Sequence, residues 1–303
     1  MAERVTFGGI EAGGTKFVLG IGTGPEDLET HEIPTTTTDA TTRLAVEYFQ
    51  AEPRGRLRAV GIGSFGPLDL HRESSTFGYI TSTPKAGWQN FDLAGTIGRA
   101  LGVPVGIDTD VNAAAIGEAR WGAARGVSSF IYLTVGTGIG GGAFVDGKVL
   151  HGLIHPEMGH IRIPHDRGRD PYAGCCPFHG DCLEGLASGP AIEARWGSPA
   201  RGLPADHPAW TLEAHYLALG LATWVCTLSP ERIVLGGGVM QQAGLLHSVR
   251  RELVRLLNGY IQAPELLQNN ASYVVPPQLG RCSGVLGAIA LAERAFELSA
   301  IPP

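Results

Sequence analysis

The sequence is poor in the features that build secreted, membrane-spanning and nucleic-acid-binding proteins. It holds 5 cysteines in 303 residues, and no apolar leader follows Met1-Ala2-Glu3-Arg4. A disulfide framework made in an oxidising compartment is therefore not expected, and the expected location is the cytoplasm. No apolar run approaches the roughly 20 residues that span a bilayer, so no membrane partner is expected. Basic runs are also missing, and the net charge is −6 with a pI near 5.9. That balance argues against a nucleic-acid partner. Asn270-Ala271-Ser272 spells a glycosylation sequon, expected to be accidental in a chain that is not expected to be secreted.

What the chain has in excess is glycine. Its 44 glycines are about twice the usual share, and they cluster instead of spreading as in a linker. A hydrophobic fraction of 44% in 303 residues is ample for a core, and the length predicts about two domains.

The first cluster is Glu11-Ala12-Gly13-Gly14-Thr15-Lys16, between predicted strands Val5–Ile10 and Phe17–Ile21. Its backbone N–H groups can face an anion without interference from a Cβ. It is not a Walker loop, since no helix follows and the Gly-Lys spacing is wrong. By itself it reads equally well as a plain hairpin. A second copy changes that balance. Phe130–Val135 is a predicted strand, Gly136-Thr137-Gly138-Ile139-Gly140-Gly141-Gly142 a loop, and Ala143–Val145 resumes as strand. Two glycine turns, each with a threonine, suit two similar lobes that hold a nucleotide triphosphate. A third cluster, Gly236-Gly237-Gly238-Val239-Met240, follows the predicted strand Arg232–Leu235. It would let a ring or a phosphate approach the backbone, or be only a tight turn.

Two strand ends carry polar groups. Leu57–Ile62 runs into Gly63-Ser64-Phe65-Gly66-Pro67, where Gly66 could line a ligand or serve an ordinary turn. Val103–Ile107 runs into Asp108-Thr109-Asp110-Val111-Asn112, ahead of a predicted helix Ala113–Trp121. Ligands bind at the carboxyl ends of strands in open α/β sheets, so a catalytic carboxylate is expected here. The plainer alternative is that Asp110 or Asn112 caps the helix. A later helix, Leu212–Leu228, is expected to bury the face of Leu212, Tyr216, Leu219, Thr223 and Cys226, which makes Cys226 a core thiol.

Between Ile163 and Cys182 apolar residues are too few, and too irregular, for an element that buries itself. His160, Cys176, His179 and Cys182 have spacings that suit one tetrahedral zinc. Metal binding of this kind contributes on the order of 10–16 kcal/mol, enough to order such a loop. Unpaired buried thiols, or a disulfide, are the alternative. Cys175 is the uncertain member, since adjacent cysteines seldom ligate one ion without strain. Glu157 and Glu184 flank the loop, which points to a polar small-molecule site beside the metal.

Taken in order, Gly13-Gly14-Thr15-Lys16, Asp110-Val111-Asn112, Gly136-Thr137-Gly138, Glu157-Met158-Gly159-His160, Cys182-Leu183-Glu184 with Ser188-Gly189, and Gly236-Gly237-Gly238 resemble the ROK family of sugar kinases and repressors. The likeness covers essentially the whole chain. It implies an α/β fold of two actin-like (ribonuclease-H-like) ATPase lobes with a zinc-clipped loop. One lobe would be residues 1–118, with the last helix, about 286–303, packed back on it, and the other residues 119–285. Two departures, Glu11 where Asp is usual and the Cys176-x-x-His179-x-x-Cys182 loop, resemble the bacterial fructokinase branch. Thr109 stands where many relatives carry Asn.

The resemblance implies transfer of the ATP γ-phosphoryl group to the 6-hydroxyl of fructose, or of another hexose such as glucose, mannose or an N-acetylated amino sugar. Asp110 would be the general base, with Asn112, Glu157, His160, Glu184 and Gly66 about the sugar. Gly13, Gly14, Thr15, Lys16, Thr137 and Gly138 would hold phosphates, and Pro190, Gly236, Gly237, Gly238, Val239 and Met240 would border the adenosine. Mg²⁺ would accompany ATP, a structural Zn²⁺ would sit on His160, Cys176, His179 and Cys182, and the assembly would be a homodimer. Repressors of the family carry a helix-turn-helix ahead of the first hairpin. The strand expected at Val5 leaves no room for one.

Overall fold

The computed structural model describes residues 5–51 and 57–300. Chain contacts divide it into two compact units. The first contains Met1–Arg125, Leu150–His155 and Gln278–Pro303; the second contains Gly126–Val149 and Pro156–Pro277. Among the described residues no helix is long and apolar enough to cross a membrane.

In the first unit, strands β1 (Thr6–Ala12), β2 (Lys16–Gly22), β3 (Glu29–Pro34), β4 (Leu57–Ser64) and β7 (Val105–Thr109) form a sheet in the order β3-β2-β1-β4-β7. β1, β2 and β3 pair antiparallel, while β1, β4 and β7 run parallel. A short pair, β5 (Tyr79–Ile80) with β6 (Phe91–Asp92), lies outside that sheet. Helices α1 (Thr38–Gln50), α2 (Leu93–Leu101) and α3 (Asp110–Trp121) complete the unit with the carboxyl-terminal helix Ser283–Ser299.

One core cluster gathers Ile10, Phe17, Leu19, Ile62, Trp88 and Ile97. A smaller one joins Phe7, Ala59, Ile289 and Ala292, with Trp121 and Phe296 packed against it. Here part of the glycine excess finds its use. Gly9, Gly61 and Gly106 stand side by side in register across β1, β4 and β7. A Cβ at Gly61 would lie 1.7 Å from the Ala288 carbonyl, and one at Gly106 2.4 Å from that of Leu291. The row of glycines is the seat on which the carboxyl-terminal helix lies directly against the sheet.

That helix is also tied by a charge. Glu118 of α3 is fully buried and accepts from Ala123 N, Gln278 N, Leu279 N and Ser283 Oγ at 2.6–3.1 Å. A buried carboxylate is tolerated only with such a set of donors.

The second unit repeats the sheet. β8 (Phe130–Val135), β9 (Ile139–Val145), β10 (Lys148–Val149), β11 (Arg232–Gly236) and β12 (Val274–Val275) take the order β10-β9-β8-β11-β12. The directions match those of the first sheet strand for strand. The expected loop 136–142 is shorter than the glycines led one to expect, because Gly140, Gly141 and Gly142 lie inside β9. Helices α4 (Leu183–Ala187), α5 (Gly189–Trp196), α6 (Ala209–Leu228) and α7 (Leu245–Leu257) belong to this unit.

Cys226 is exposed, and so is Thr223. The expected buried face of α6 is therefore off by a fraction of a turn. The buried residues are Trp210, Ala214, Leu217, Leu221 and Trp224, with Tyr216 of the expected face, and Glu213, whose carboxyl burial pushes well above its usual range. α6 is apolar nearly all round, so hydrophobic spacing alone fits more than one face.

Candidate active site

In the first unit the β1–β2 turn is Gly13-Gly14-Thr15. Two of its carbonyls are taken by protein donors: Thr35 Oγ1 bonds Gly13 O at 2.7 Å and Thr35 N bonds Thr15 O at 2.9 Å. In the second unit the turn is Gly136-Thr137-Gly138. Gly136 N bonds Gly138 O, and Gly189 N bonds Gly136 O, each at 2.8 Å. The carbonyls of Gly13 and Thr15 in the first turn, and of Gly136 and Gly138 in the second, are thus occupied. Lys16 opens β2 and its ammonium pairs with Glu32, half exposed.

The bond from Gly189 sets the start of α5, and with it Pro190, on the second turn. Ser188 caps that helix, accepting from Ala191 N. Gly237, at φ 101°, fits against β8 because a Cβ would fall 2.3 Å from the Val135 carbonyl. Gly238 leaves its surroundings open, and Val239 and Met240 follow in a short 3-10 turn. The structure therefore gathers Thr137, Gly138, Pro190 and Gly236 to Met240 at one end of the second sheet.

At the carboxyl end of β7, α3 begins at Asp110, not at Ala113. The cap is Thr109, whose Oγ1 accepts from Asn112 N at 3.1 Å. The alternative of Asp110 or Asn112 as cap is thereby removed. Asp110 is half-buried in the first helical position, where its Oδ1 accepts from Val111 N at 2.9 Å. Asn112 is fully buried: Nδ2 donates to Asp108 Oδ1 at 2.7 Å, and Oδ1 has no partner. Gly66, just past β4, lies beside His155, whose Nε2 accepts from Leu68 N at 3.1 Å.

One group of this unit escaped the sequence reading as a site residue. Glu11, near the end of β1, is half-buried, with its Oε2 enclosed and unpartnered. Burial, seconded by the charge of Asp110, pushes its carboxyl up to about 7. The signal was a carboxylate on the strand just before the glycine turn.

The metal set assembles in the second unit. The ligand atoms of His160, Cys176, His179 and Cys182 lie within 4.8 Å of one another. His160 Nδ1 is 3.7 Å from Cys176 Sγ and 3.6 Å from Cys182 Sγ, and His179 Nδ1 is 3.6 Å from Cys176 Sγ. Tetrahedral zinc bonds of about 2.3 Å to sulfur and 2.0–2.1 Å to nitrogen set S···N edges of about 3.6 Å. The donor set fits that ion. All five cysteines are free thiols, which removes the disulfide alternative. Cys175 is exposed and stands apart, its Sγ 4.0 Å from Ser188 Oγ.

The loop has a second anchor that spacing did not reveal. Buried Asp170 accepts from Tyr216 Oη at 2.6 Å and Arg195 Nε at 3.2 Å. Arg195 also donates to Leu186 O and lies over the Tyr172 ring.

Glu184, on α4, joins metal loop and turn. Its Oε2 accepts from Ile139 N at 2.9 Å, and its Oε1 lies 3.9 Å from His160 Nε2. Exposed Glu157 precedes the short 3-10 turn Met158–His160.

Two sheets of like plan, each with a glycine turn between its first two strands, and a carboxylate at the end of a parallel strand are the parts of a phosphotransferase class of protein. The chain belongs to the ROK family, whose model matches residues 7–295. It is 47% identical to a fructokinase of Zymomonas mobilis over 297 residues, 96% of this chain and 97% of that one. A fructokinase of Lactococcus lactis is 44% identical over 86% of this chain and 88% of its own. Among solved structures, a ROK hexokinase from Thermus thermophilus matches with a TM-score of 0.78 and 30% identity, over 96% of this chain and 99% of that one. A ROK glucokinase from Streptomyces griseus, solved with glucose and AMPPNP, matches with a TM-score of 0.74 and 27% identity over 95% and 99%.

Proposed function

We infer that the chain is an ATP-dependent fructokinase and that its two units are the ribonuclease-H-like lobes of an actin-like kinase. The observation that carries the chemistry is the division of labour at the head of α3. Thr109 caps the helix and sets Asp110 at its first residue, at the carboxyl end of β7, where ligands bind in open α/β sheets. The fructose assignment is supported by the relatives named fructokinase at 44–47% identity.

The 6-hydroxyl oxygen of fructose attacks the γ-phosphorus as Asp110 accepts its proton. The bond from that phosphorus to the β–γ bridging oxygen breaks, and ADP leaves with the electron pair. General-base help of this kind is worth roughly 10²–10⁴ in rate. Asn112 Oδ1, a buried acceptor without a partner, accepts a hydrogen bond from a sugar hydroxyl. Glu157, His160 and Glu184 meet other hydroxyls, and Gly66 lets the sugar approach the backbone.

The turns Gly13–Thr15 and Gly136–Gly138 offer N–H groups to phosphates, with Lys16 on the first and Thr137 on the second. Pro190 and Gly236 to Met240 border the adenosine. Glu11 is a hard oxygen donor with a buried, unpartnered Oε2, which suits the Mg²⁺ that accompanies ATP. Held there, Mg²⁺ would supply positive charge to offset that of the phosphates. Zn²⁺ on His160, Cys176, His179 and Cys182 is structural, since four protein donors fill a tetrahedron.

The test is ADP release by purified protein with Mg-ATP and a panel of hexoses at limiting concentration. The highest kcat/KM is expected for fructose. A maximum for glucose, mannose or an N-acetylated amino sugar would refute the fructose assignment and keep the kinase.

A further inference from the structure

The segment Leu150–His155 packs within the first unit although its flanking residues belong to the second. Three side-chain contacts pin it there. His71 Nε2 donates to Leu153 O at 2.9 Å, and His155 Nε2 accepts from Leu68 N. At its start, His151 Nε2 lies 3.1 Å and 3.0 Å from the two oxygens of Asp108. The same Asp108 Oδ1 accepts from Asn112 Nδ2 at 2.7 Å and Thr109 N at 2.8 Å. His151 Nε2 is also 3.5 Å from Asn112 Nδ2.

We propose that His151 is a positioning residue for the sugar: through Asp108 it fixes the amide of Asn112 so that a hydroxyl acceptor, not a donor, faces the substrate. It rests on the fructokinase reading above. The reasoning is one of donors and acceptors. An ionised carboxylate only accepts, so it can bind Asn112 solely through Nδ2, which turns Oδ1 away. Asp108 is buried and carries this charge beside a buried amide. A histidinium that donates to both carboxylate oxygens supplies the counter-charge that makes such burial tolerable.

Without it, Asn112 loses its enforced polarity, and an amide turned the other way shows a donor to a hydroxyl that was meant to donate. His151 is held above its ordinary value first by the bond to Asp108 and then by that carboxylate's charge, against burial and the positive charge of Arg294 on the carboxyl-terminal helix. The charged form therefore persists to higher pH than in an ordinary imidazole and is lost as pH rises.

The experiment compares wild type, His151→Gln and Asp108→Asn by fructose kinetics across pH 5.5–9, with melting temperature beside each. Gln keeps a donor but no charge, and Asn at 108 can meet either end of the amide. The fructose KM is expected to rise roughly 10-fold in both variants, the scale of a lost charge-assisted buried contact. The kcat and the KM for ATP should stay within about 2-fold, as expected when binding common to ground and transition states is removed. Wild-type kcat/KM for fructose should fall as pH rises through the titration of His151, and that limb should vanish in His151→Gln.

Unchanged KM and pH profile in both variants would overturn the proposal. So would a joint fall of kcat and melting temperature with KM unmoved, which marks a purely structural role. A wild type that never turns over fructose removes the fructokinase reading itself, and the positioning role with it.

Discussion

The two units share one sheet plan and hold their polar groups by opposite means. In the first, Asp108, Asp110 and Asn112 ride on the junction of β7 and α3. Their positions follow from strand register, a threonine cap and buried hydrogen bonds. In the second, Glu157, His160 and Glu184 border a long loop with little core of its own, closed by a Cys/His set and by Asp170 with Arg195. The lesson is that a strand end needs only its fold to aim a carboxylate. A loop given the same duty would need a clip, which the proposed zinc supplies.

Removing the clip should have the largest effect. On the proposed zinc reading, Cys182→Ser takes away one of four ligands, where structural zinc binding is worth on the order of 10–16 kcal/mol. Zinc should be lost, and amide-exchange protection should fall across residues 157–184 while β1, β4 and β7 keep theirs. Cys175→Ser, outside the ligand set, should retain the metal. Equal loss of protection in both units would break the contrast.

Asp110→Asn should do the reverse, keeping both units folded and the fructose KM near its normal value while kcat falls roughly 10²–10⁴-fold. Turnover at the wild-type level would remove Asp110 from the chemistry.

Next in size is Glu118→Ala, which strands the buried donors Ser283 Oγ, Gln278 N and Leu279 N. A cost of about 3 kcal/mol is expected, read by urea unfolding. Exchange should quicken first in the helix Ser283–Ser299.

The smallest effect is a pH slope. Glu11 sits at about 7 in the folded chain against 4.5 in its ordinary state. The folded protein therefore binds the extra proton, and this group's contribution is greatest below about 4.5 and declines as pH rises toward 7. Without Mg²⁺ and nucleotide, Glu11→Gln should gain about 2–3 kcal/mol on wild type between pH 4.5 and 7.5. A constant difference across that range would contradict the assignment.

Much of this site was legible because its signals are local. The Gly-Thr turns, the ligands within Cys176–Cys182 and the polar head of α3 are each readable in a few consecutive residues. What was not legible depends on partners far along the chain. Nothing near His151 announces Asp108, and nothing near Asp170 announces Arg195 and Tyr216. β3 was missed because it is exposed at nearly every position and lacks an apolar alternation. α7 lay open to reading, since Leu245, Val249, Leu253 and Leu257 recur every fourth residue and are all buried, yet it goes unassigned above.

The most direct test of the contrast between the units is zinc-edge X-ray absorption on the purified protein, with metal content measured on the same sample. The account predicts one zinc per chain, with two sulfur neighbours at about 2.3 Å and two nitrogen neighbours at about 2.0–2.1 Å. An active enzyme without stoichiometric metal, or a metal shell of oxygen and water, would contradict it.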